Sequence, residues 1–482
     1  MDSFALIIFG ITGNLAKIKL IPALYDLEEK GALPANMSVV GIARGEKSDS
    51  ELRNYFKEVL NLDNVHHKHE IKEEAFQALA KRTHYVSGNL DDNDFYKRLK
   101  IKLDDLTKAG FNCSNRIYYL ATYPDIYKDI FEGLQGNQMT SQEKGWARLM
   151  IEKPIGNDVA SAKALNSLLL NYFSEDQLYR LDHYLGKETL QNILTFRFDN
   201  GVFEPLLNKD HVDHIQILAS EDFGVGMRGG YYDSVGALKD VGQNHQLQML
   251  AFATMDAPSE FSNQAITEER IKILKAFQPF PESVVFGQYE GYSNEPNVSE
   301  NSQIDTFYAL KTEINNERFS GVPVYIRAGK KLQKTITEIS IIFKKPANRL
   351  SKHLAIGEEP NALIYRLFPN EGIVLKFLSK KPGAEMNLEN SYMQFCYRQE
   401  RGGHAFPDPY DRLIMDTIRG DQTFFNDAAE VEAQWAFIDP LVETRKKPVI
   451  YKPGSWGPQE AFDLIEKDGR KWLEPSLEFC PI

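Results

Sequence analysis

The N-terminal residues carry the pattern that most restricts the fold of this chain, a buried strand followed by a glycine turn and a helix. Phe4 to Phe9 form a continuous apolar run, which is typical of a parallel strand covered on both faces. The segment GITGNLA, residues 10–16, follows, and apolar residues then recur at helical spacing as far as Leu24, with Pro22 predicting a kink or an early break. This order predicts the first unit of a dinucleotide-binding fold, whose helix N-terminus binds a pyrophosphate.

A second predicted strand bears on the choice of coenzyme. Val39 to Ala43 form an apolar run that ends at Arg44. Folds that bind NAD usually place an acid at this point, whereas an arginine can receive the 2′-phosphate of NADP. Arg44 therefore favours NADP, although a solvated loop would also explain it and Glu46 lies close enough in sequence to approach a ribose hydroxyl.

Further strands and helices alternate as far as residue 180. Arg116 to Leu120 and Trp146 to Ile151 predict additional βα units, while residues 45–110 predict polar helices and connections. The last of these strands leads into Glu152-Lys153-Pro154, and an EKP sequence after a strand occurs in several sugar and polyol dehydrogenases. Its proline would hold the turn rigid.

The pattern changes after residue 180 to longer strands with polar interruptions. Predicted strands start at Val212, Thr306, Val322, Ile336 and Gly372. We therefore predict an α/β Rossmann-like dinucleotide-binding domain over residues 1–180. An α+β domain with a large, mainly antiparallel sheet is predicted over residues 181–482, for substrate binding and oligomerisation.

Composition excludes several classes of protein. A formal charge of −12 over 482 residues argues against nonspecific nucleic-acid binding. No run approaches the length of a membrane span, and the N-terminus lacks the basic stretch of a signal peptide. The three scattered cysteines favour a reducing compartment, so we predict a cytoplasmic protein. The run His66-His67-Lys68-His69 lacks metal-ligand spacing, and no metal is expected.

The densest chemical cluster is Arg180-Leu181-Asp182-His183-Tyr184-Leu185-Gly186-Lys187-Glu188. It places an acid, two ring donors and a cation within six positions, a set suited to holding a phosphate. The string resembles the RIDHYLGKE signature of glucose-6-phosphate dehydrogenases, with one conservative change at Leu181. The segments Gln243-Asn244-His245, Arg327-Ala328-Gly329-Lys330 and Pro409-Tyr410-Asp411-Arg412 extend the resemblance to the bacterial type of this family.

The resemblance implies a role for each matching position. Oxidation of the C1 hydroxyl of glucose 6-phosphate would yield 6-phosphoglucono-δ-lactone, the first step of the oxidative pentose phosphate pathway. The implied catalytic residues are His245 as general base, Asp182 as its orienting partner and Lys19 near the reaction centre. The coenzyme-binding positions are Gly10, Thr12, Gly13, Asn14, Leu15, Arg44, Tyr127 and Lys153, and the substrate-binding positions are Lys153, His183, Tyr184, Lys187, Glu221, Asp240, Lys330 and Lys334.

The proposed chemistry needs these residue types. A neutral imidazole with a pKa of about 6.5 can remove the hydroxyl proton as hydride leaves C1, and a carboxylate can fix its tautomer. The residues alone leave His183 and His245 open as the base, and the resemblance favours His245. It further implies NADP as coenzyme, with NAD use also possible, and a homodimer or homotetramer.

Two alternatives stay open at this stage. One is an EKP-type dehydrogenase of an unphosphorylated sugar, for which the cations His183, Lys187 and Lys330 would have little purpose. The other is a catalytically inactive nucleotide-sensing protein, against which His245 and Asp182 argue.

Four positions depart from the family pattern. Asn14 replaces a usual Asp, although both residues cap helices well, and Ile18 replaces a usual basic residue. Gly242 and Gln246 flank the QNH segment where bulkier or apolar residues are common. Because a glycine within a helix costs about 1 kcal/mol relative to alanine, we expect the base to be held less rigidly.

Overall fold

The computed structural model describes most of the chain and divides it into two compact units. The described residues are 2–62, 71–346, 359–400, 406–476 and 478–480. The histidine run at residues 66–69 lies outside them. The first unit comprises Met1–Gly156, Ala160–Gly186 and Pro407–Ala428, and the second comprises Asn157–Val159, Lys187–Phe406 and Ala429–Ile482.

Sixteen strands are found among the described residues. They are β1 (Ala5–Phe9), β2 (Ser38–Ala43), β3 (Thr83–Ser87), β4 (Arg116–Leu120), β5 (Ala147–Ile151), β6 (Leu178–Arg180), β7 (Val212–Ser220), β8 (Phe277–Gln278), β9 (Val284–Tyr289), β10 (Phe307–Ile314), β11 (Pro323–Gly329), β12 (Ile336–Phe343), β13 (Ala362–Phe368), β14 (Gly372–Lys380), β15 (Leu388–Cys396) and β16 (Val449–Tyr451).

The described residues also form fourteen α-helices and two π-helical segments. The α-helices are α1 (Ile21–Glu29), α2 (Asp49–Leu60), α3 (Glu73–Lys81), α4 (Asn93–Lys108), α5 (Tyr127–Gly136), α6 (Val159–Leu170), α7 (Glu188–Phe198), α8 (Gly229–Val235), α9 (Leu247–Thr254), α10 (Asn263–Ala276), α11 (Tyr397–Glu400), α12 (Pro409–Arg419), α13 (Ala428–Glu443) and α14 (Gln459–Glu466). The π-helical segments are π1 (Ala16–Leu20) and π2 (Leu238–Gln246).

The first unit contains a six-stranded parallel sheet in the order β3-β2-β1-β4-β5-β6. This is the strand order of a Rossmann fold, so the predicted dinucleotide-binding domain is confirmed. The prediction of only helices and connections over residues 45–110 is wrong at β3. That strand, THYVS, is short and mixes polar with apolar residues, and therefore lacks the apolar run that marks β1.

Pro22, where the sequence predicted a kink or an early break, lies at the start of α1. The chain passes through π1 and enters α1 with Pro22 in its first turn, where a missing N–H breaks no intrahelical hydrogen bond. The helix buries Leu24 in the core of the first unit. Pro22 therefore marks the beginning of α1.

A distant segment completes the core of the first unit. Helix α12 contributes Leu413, Ile414 and Ile418 to the same buried cluster as Leu24 on α1. Burial of such aliphatic side chains contributes about 1.5–3 kcal/mol each. Residues 407–428 thus return to the first unit, a connection that the sequence did not indicate. The sequence-based boundary near residue 180 remains a prediction.

The second unit is built on a ten-stranded mixed sheet. Its order is β15-β14-β13-β12-β7-β11-β10-β9-β16, and β8 pairs with β10. The pairs β7/β11 and β9/β16 are parallel, and the other pairs are antiparallel. The predicted α+β domain with a mainly antiparallel sheet is therefore confirmed.

Two of the three cysteines are paired. Cys396 at the end of β15 forms a disulfide with Cys480, with a Cα–Cα distance of 5.2 Å, while Cys113 is a buried free thiol. The sequence did not indicate this pair, because 84 residues of sequence separate the partners. Among the described residues, no helix is long and apolar enough to cross a membrane.

The turn after β1 provides a test of the fold. Gly10 has a φ of +88°, and a Cβ built there would lie 2.6 Å from the carbonyl oxygen of Ala121. We expect Gly10→Ala to destabilise the protein by about 1–2 kcal/mol, because L-residues disfavour this conformation, with the steric contact adding to the loss. The measurement is the apparent midpoint of thermal unfolding.

Gly45→Ala is the matched control, because its Cβ would meet no atom within 4 Å. Equal midpoints for the two variants would contradict the importance of the turn.

Candidate active site

Predicted coenzyme-binding and catalytic residues of the first unit follow the ends of four strands of one parallel sheet. Gly10 follows β1, Arg44 follows β2, Lys153 follows β5, and Asp182 lies two residues beyond β6. Because all six strands are parallel, their carboxyl ends form a single edge, the edge where ligands bind in open α/β sheets. The topology therefore brings motifs from across 170 residues of sequence to one edge of the first unit.

The glycine turn has the geometry that a dinucleotide requires. The N–H groups of Gly10 and Ile11 donate to the carbonyl of Ile42 at 2.9 and 3.1 Å, and Gly13 donates to Gly10 at 2.9 Å. Thr12 and Asn14 are exposed, Leu15 is half-buried, and helical structure begins at Asn14. The tight turn and the exposed helix start fit the pyrophosphate of a dinucleotide.

Two charged residues follow β2, an exposed arginine and a glutamate that is engaged in a hydrogen bond. Arg44 is exposed. The carboxylate of Glu46 accepts a hydrogen bond from the Ser87 hydroxyl at 3.0 Å, and the Tyr85 hydroxyl donates to the carbonyl of Gly45. Glu46 is thus held toward the end of β3, and Arg44 is the exposed charged side chain that directly follows β2.

Tyr127 is more enclosed than its predicted coenzyme contact suggested. The side chain is 1% exposed, its ring centre lies 5.8 Å from that of Phe131, and its hydroxyl donates to the Thr122 carbonyl at 3.5 Å. Burial raises its pKa. Its role as a coenzyme contact stays a prediction.

Lys19 is held by a residue that the sequence did not predict. Its Nζ lies 3.1 Å from Oδ2 of Asp408 and 5.7 Å from the ring centre of Tyr410. The other carboxylate oxygen of Asp408 caps α12 by accepting from the N–H of Tyr410 at 2.9 Å. One aspartate therefore connects the start of α12 to the predicted catalytic lysine.

The glutamate of the EKP sequence is also held from α12. The hydroxyls of Tyr119 and Tyr410 both donate to Oε1 of Glu152, the latter at 3.1 Å. Burial raises the pKa of the Glu152 carboxyl group, while these two hydrogen bonds lower it. Glu152 directly precedes Lys153, whose peptide bond to Pro154 is cis. The residues that fix this turn thus come from β4 and α12.

The signature residues divide between the two units. In the first, Asp182 is 1% exposed and accepts from the N–H of Tyr184 at 2.9 Å, and the rings of His183 and Tyr184 are 5.1 Å apart. In the second, Lys187 occupies the N-cap position of α7, with Nζ 5.4 Å from the ring centre of Phe368.

In the second unit, the predicted sugar-binding residues converge at one edge of the sheet. Glu221 and Lys330 directly follow the parallel neighbours β7 and β11 and form an ion pair. The carbonyl of Lys334 accepts from the Ser220 hydroxyl at 2.8 Å. The structure thus brings together three residues that are spread over more than a hundred positions of sequence.

The segment π2 carries the remaining two predicted residues. Asp240 and His245 are 8% and 3% exposed, and the Tyr231 hydroxyl donates to Asp240 at 3.4 Å. π-helical turns occur frequently at functional sites. The aromatic ring of Tyr232 lies 5.1 Å from Nζ of Lys330. Acids, a cation and aromatic rings thus meet in the second unit, as expected for a site that binds sugar hydroxyls.

Comparison with known proteins agrees with this arrangement. Residues 7–192 match the family description "Glucose-6-phosphate dehydrogenase, NAD binding domain", and residues 194–473 match "Glucose-6-phosphate dehydrogenase, C-terminal domain". The glucose-6-phosphate 1-dehydrogenase of Chlamydia muridarum is 39% identical, with 97% of this chain and 96% of that protein covered. The cytoplasmic isoform of this enzyme from Solanum tuberosum is 38% identical, with 98% and 94% covered.

A solved structure extends the comparison to three dimensions. A glucose-6-phosphate dehydrogenase in complex with its substrate glucose-6-phosphate is 32% identical, with a TM-score of 0.90, and the match covers 98% of this chain and 99% of that one. Fold and site define an oxidoreductase with a nicotinamide-dinucleotide domain. More particularly, the chain belongs to the glucose-6-phosphate dehydrogenase family.

Proposed function

We propose that this protein oxidises glucose 6-phosphate at C1 to 6-phosphoglucono-δ-lactone, the first step of the oxidative pentose phosphate pathway. The observation that carries the proposal is its likeness over nearly the whole chain to a dehydrogenase solved with glucose 6-phosphate. The assay is the appearance of reduced coenzyme absorbance with glucose 6-phosphate and with each coenzyme. A wild-type protein that is folded but inactive in this assay would contradict the proposal.

Each side chain has a defined task in the proposed reaction. His245 removes the C1 hydroxyl proton, and Asp182 is the carboxylate that the family resemblance assigns to orient it. Glu221 and Asp240 accept hydrogen bonds from sugar hydroxyls, and Lys330 and Lys334 also bind the substrate. When bound, the nicotinamide supplies the hydride acceptor.

The phosphate is assigned to His183, Tyr184 and Lys187. A dianion needs convergent donors and positive charge, and these residue types supply both. For the coenzyme we propose NADP in preference to NAD, with NAD use retained as a second activity. Exposed Arg44 and the engaged carboxylate of Glu46 support that preference. Gly10, Thr12, Gly13, Asn14 and Leu15 are assigned to the pyrophosphate turn, and Lys19, Tyr127 and Lys153 to positions near the coenzyme.

The assignment of the base is tested with His245→Asn, which keeps some hydrogen bonding but removes proton acceptance. We expect kcat to fall about 10²- to 10⁴-fold with little change in substrate affinity. His211→Asn, an exposed histidine just before β7, is the matched control. Nearly full kcat in His245→Asn would redirect the role to His183.

The phosphate assignment predicts a substrate-dependent defect in Lys187→Ala. Loss of a charge-assisted hydrogen bond should lower kcat/KM for glucose 6-phosphate about 10- to 100-fold, while turnover of free glucose at high concentration changes little. Lys272→Ala, on α10 and exposed, is the control. Equal losses for both sugars would place Lys187 away from the phosphate and would favour a dehydrogenase of unphosphorylated sugars.

The coenzyme assignment predicts that Arg44→Ala raises KM for NADP far more than KM for NAD. Only NADP loses an ion pair, and we expect a difference of about 10-fold or more. Arg419→Ala, with a side chain 56% exposed on α12, serves as the control. A wild-type preference for NAD in kcat/KM, or equal effects on both coenzymes, would refute the assignment.

We also propose that the protein forms a homodimer or homotetramer through the sheet of the second unit. Its edge strand β15 exposes Tyr392, Met393 and Phe395 at 42%, 61% and 43%, and an exposed apolar edge strand invites pairing with another chain. Sedimentation should give a mass of at least two chains, and Met393→Lys should lower it. A monomeric wild-type protein would refute this.

A cytoplasmic location is proposed on the likeness to the cytoplasmic isoform from Solanum tuberosum. Fractionation of the native cells, followed by activity assay, tests it. Because disulfides rarely persist in that compartment, the Cys396–Cys480 disulfide of the structure should be reduced in protein isolated there under thiol trapping. A disulfide that stays intact in such a sample would contradict the cytoplasmic location.

A further inference from the structure

Two of the residues that depart from the family pattern meet a single tyrosine in the core of the second unit. Gln246 ends π2 and Tyr308 lies on β10, and both side chains are 0% exposed. The Tyr308 hydroxyl donates to Oε1 of Gln246, and Nε2 of Gln246 donates to the carbonyl of Arg327 on β11 at 2.9 Å. Both ends of the buried amide are therefore satisfied by the sheet.

Gly242 supplies the space for this contact. A Cβ built at Gly242 would lie 2.7 Å from the Tyr308 hydroxyl oxygen and 2.9 Å from Cδ1 of Leu238. Any other residue at this position would force Tyr308, Leu238 or π2 itself to shift, and would therefore strain the contact between the hydroxyl and Gln246. The hydrogen bond between Tyr308 and Gln246 therefore requires the space left by Gly242. Packing against Tyr308 explains a glycine within π2 that its low helix propensity would disfavour.

The direction of the hydrogen bonds follows from the backbone carbonyl of Arg327, which can only accept. The NH₂ group of Gln246 must therefore face Arg327, and its amide oxygen faces Tyr308. Burial raises the pKa of Tyr308 well above its ordinary value, so the hydroxyl retains the proton that it donates to this oxygen. A buried amide that loses either hydrogen-bond partner is strongly disfavoured. Both hydrogen bonds form together only when π2 has one particular orientation about its axis.

Asp305, two residues before β10, contacts the opposite end of π2. Oδ2 of Asp305 accepts from the N–H of Leu238 at 2.9 Å, and Arg445 Nη2 lies 2.9 Å from the other carboxylate oxygen. Asp305 is 0% exposed. The residues at and before the start of β10 thus contact both ends of the segment that carries Asp240 and His245.

We propose that Gly242, Gln246 and Tyr308 form an anchor that positions His245 for proton removal. The inference rests on the proposed function, since it assigns His245 as the base. None of the three residues is assigned to substrate or coenzyme. They fix the rotation of π2 about its axis, and His245 directly precedes Gln246 in that segment. A small displacement of a catalytic group can cost up to about 10²-fold in rate, so this anchor is expected to control kcat.

The first experiment replaces Tyr308 by phenylalanine, which keeps the ring and removes the donor. We expect kcat to fall about 10-fold, KM for glucose 6-phosphate to stay within about twofold, and the isotope effect with C1-deuterated substrate to increase. Tyr325→Phe is the matched control, because the Tyr325 hydroxyl donates to Asp468, at a different part of the same sheet. Full kcat in Tyr308→Phe, or an equal loss in the control, would overturn the anchor.

The second experiment tests the mutual dependence directly. Gly242→Ala should lower kcat, and adding Tyr308→Phe should restore part of it, because the double variant removes the oxygen that the new Cβ would meet. A double-variant loss equal to the product of the single losses would contradict the coupling.

A third measurement separates this inference from the proposed function. Hydrogen exchange of the backbone amides of residues 238–246 needs no substrate, and Tyr308→Phe should accelerate it more than Tyr325→Phe does. Unchanged exchange would overturn the anchor even if the wild type oxidises glucose 6-phosphate. If the wild type is inactive but Tyr308→Phe still accelerates the exchange, the proposed function is refuted and the anchor is not.

Discussion

Parallel strand pairing is the constraint on which the arrangement of candidate residues depends. In a parallel pair the carboxyl ends of both strands lie on the same side, so residues that follow the strands become neighbours regardless of sequence distance. The first unit uses this rule throughout its sheet. The second uses it at β7/β11, where it brings Glu221 to Lys330. An antiparallel pairing of β7 with β11 would send these two residues to opposite edges.

Several strands with a clear apolar pattern were predicted from the sequence, although the largely buried strands β9 and β13 were not. β1 and β4 are continuous or nearly continuous apolar runs, whereas β12 mixes apolar with polar residues, and the predicted positions of all three agree with the structure to within a residue. β3 was missed because its five residues are partly polar, and β15 was missed because most of its side chains are exposed. Edge strands have one hydrogen-bonded neighbour and often one wet face, so their composition resembles that of loops.

The sequence predicted which residue types form the candidate site, but it predicted few of the contacts that hold them. Motifs indicated Lys19 and Lys153, but nothing in them indicated that Asp408 and Tyr410 contact Lys19 and Glu152. These contacts span 389 and 258 positions of sequence. Gly242 and Gln246 show the same limitation. Taken alone, they indicate a less rigid helix, and only the position of Tyr308 on a neighbouring strand reveals that they are packed and hydrogen-bonded.

The return of residues 407–428 to the first unit has a consequence for synthesis. A ribosome adds about 5–20 residues per second, and α12 emerges only after the larger part of the second unit has been made. Until then the surface of α1 that receives Leu413 and Ile418 remains uncovered. The nucleotide-binding unit therefore cannot mature on the nascent chain ahead of its successor. A transcript truncated before residue 407 would yield a protein lacking part of both units.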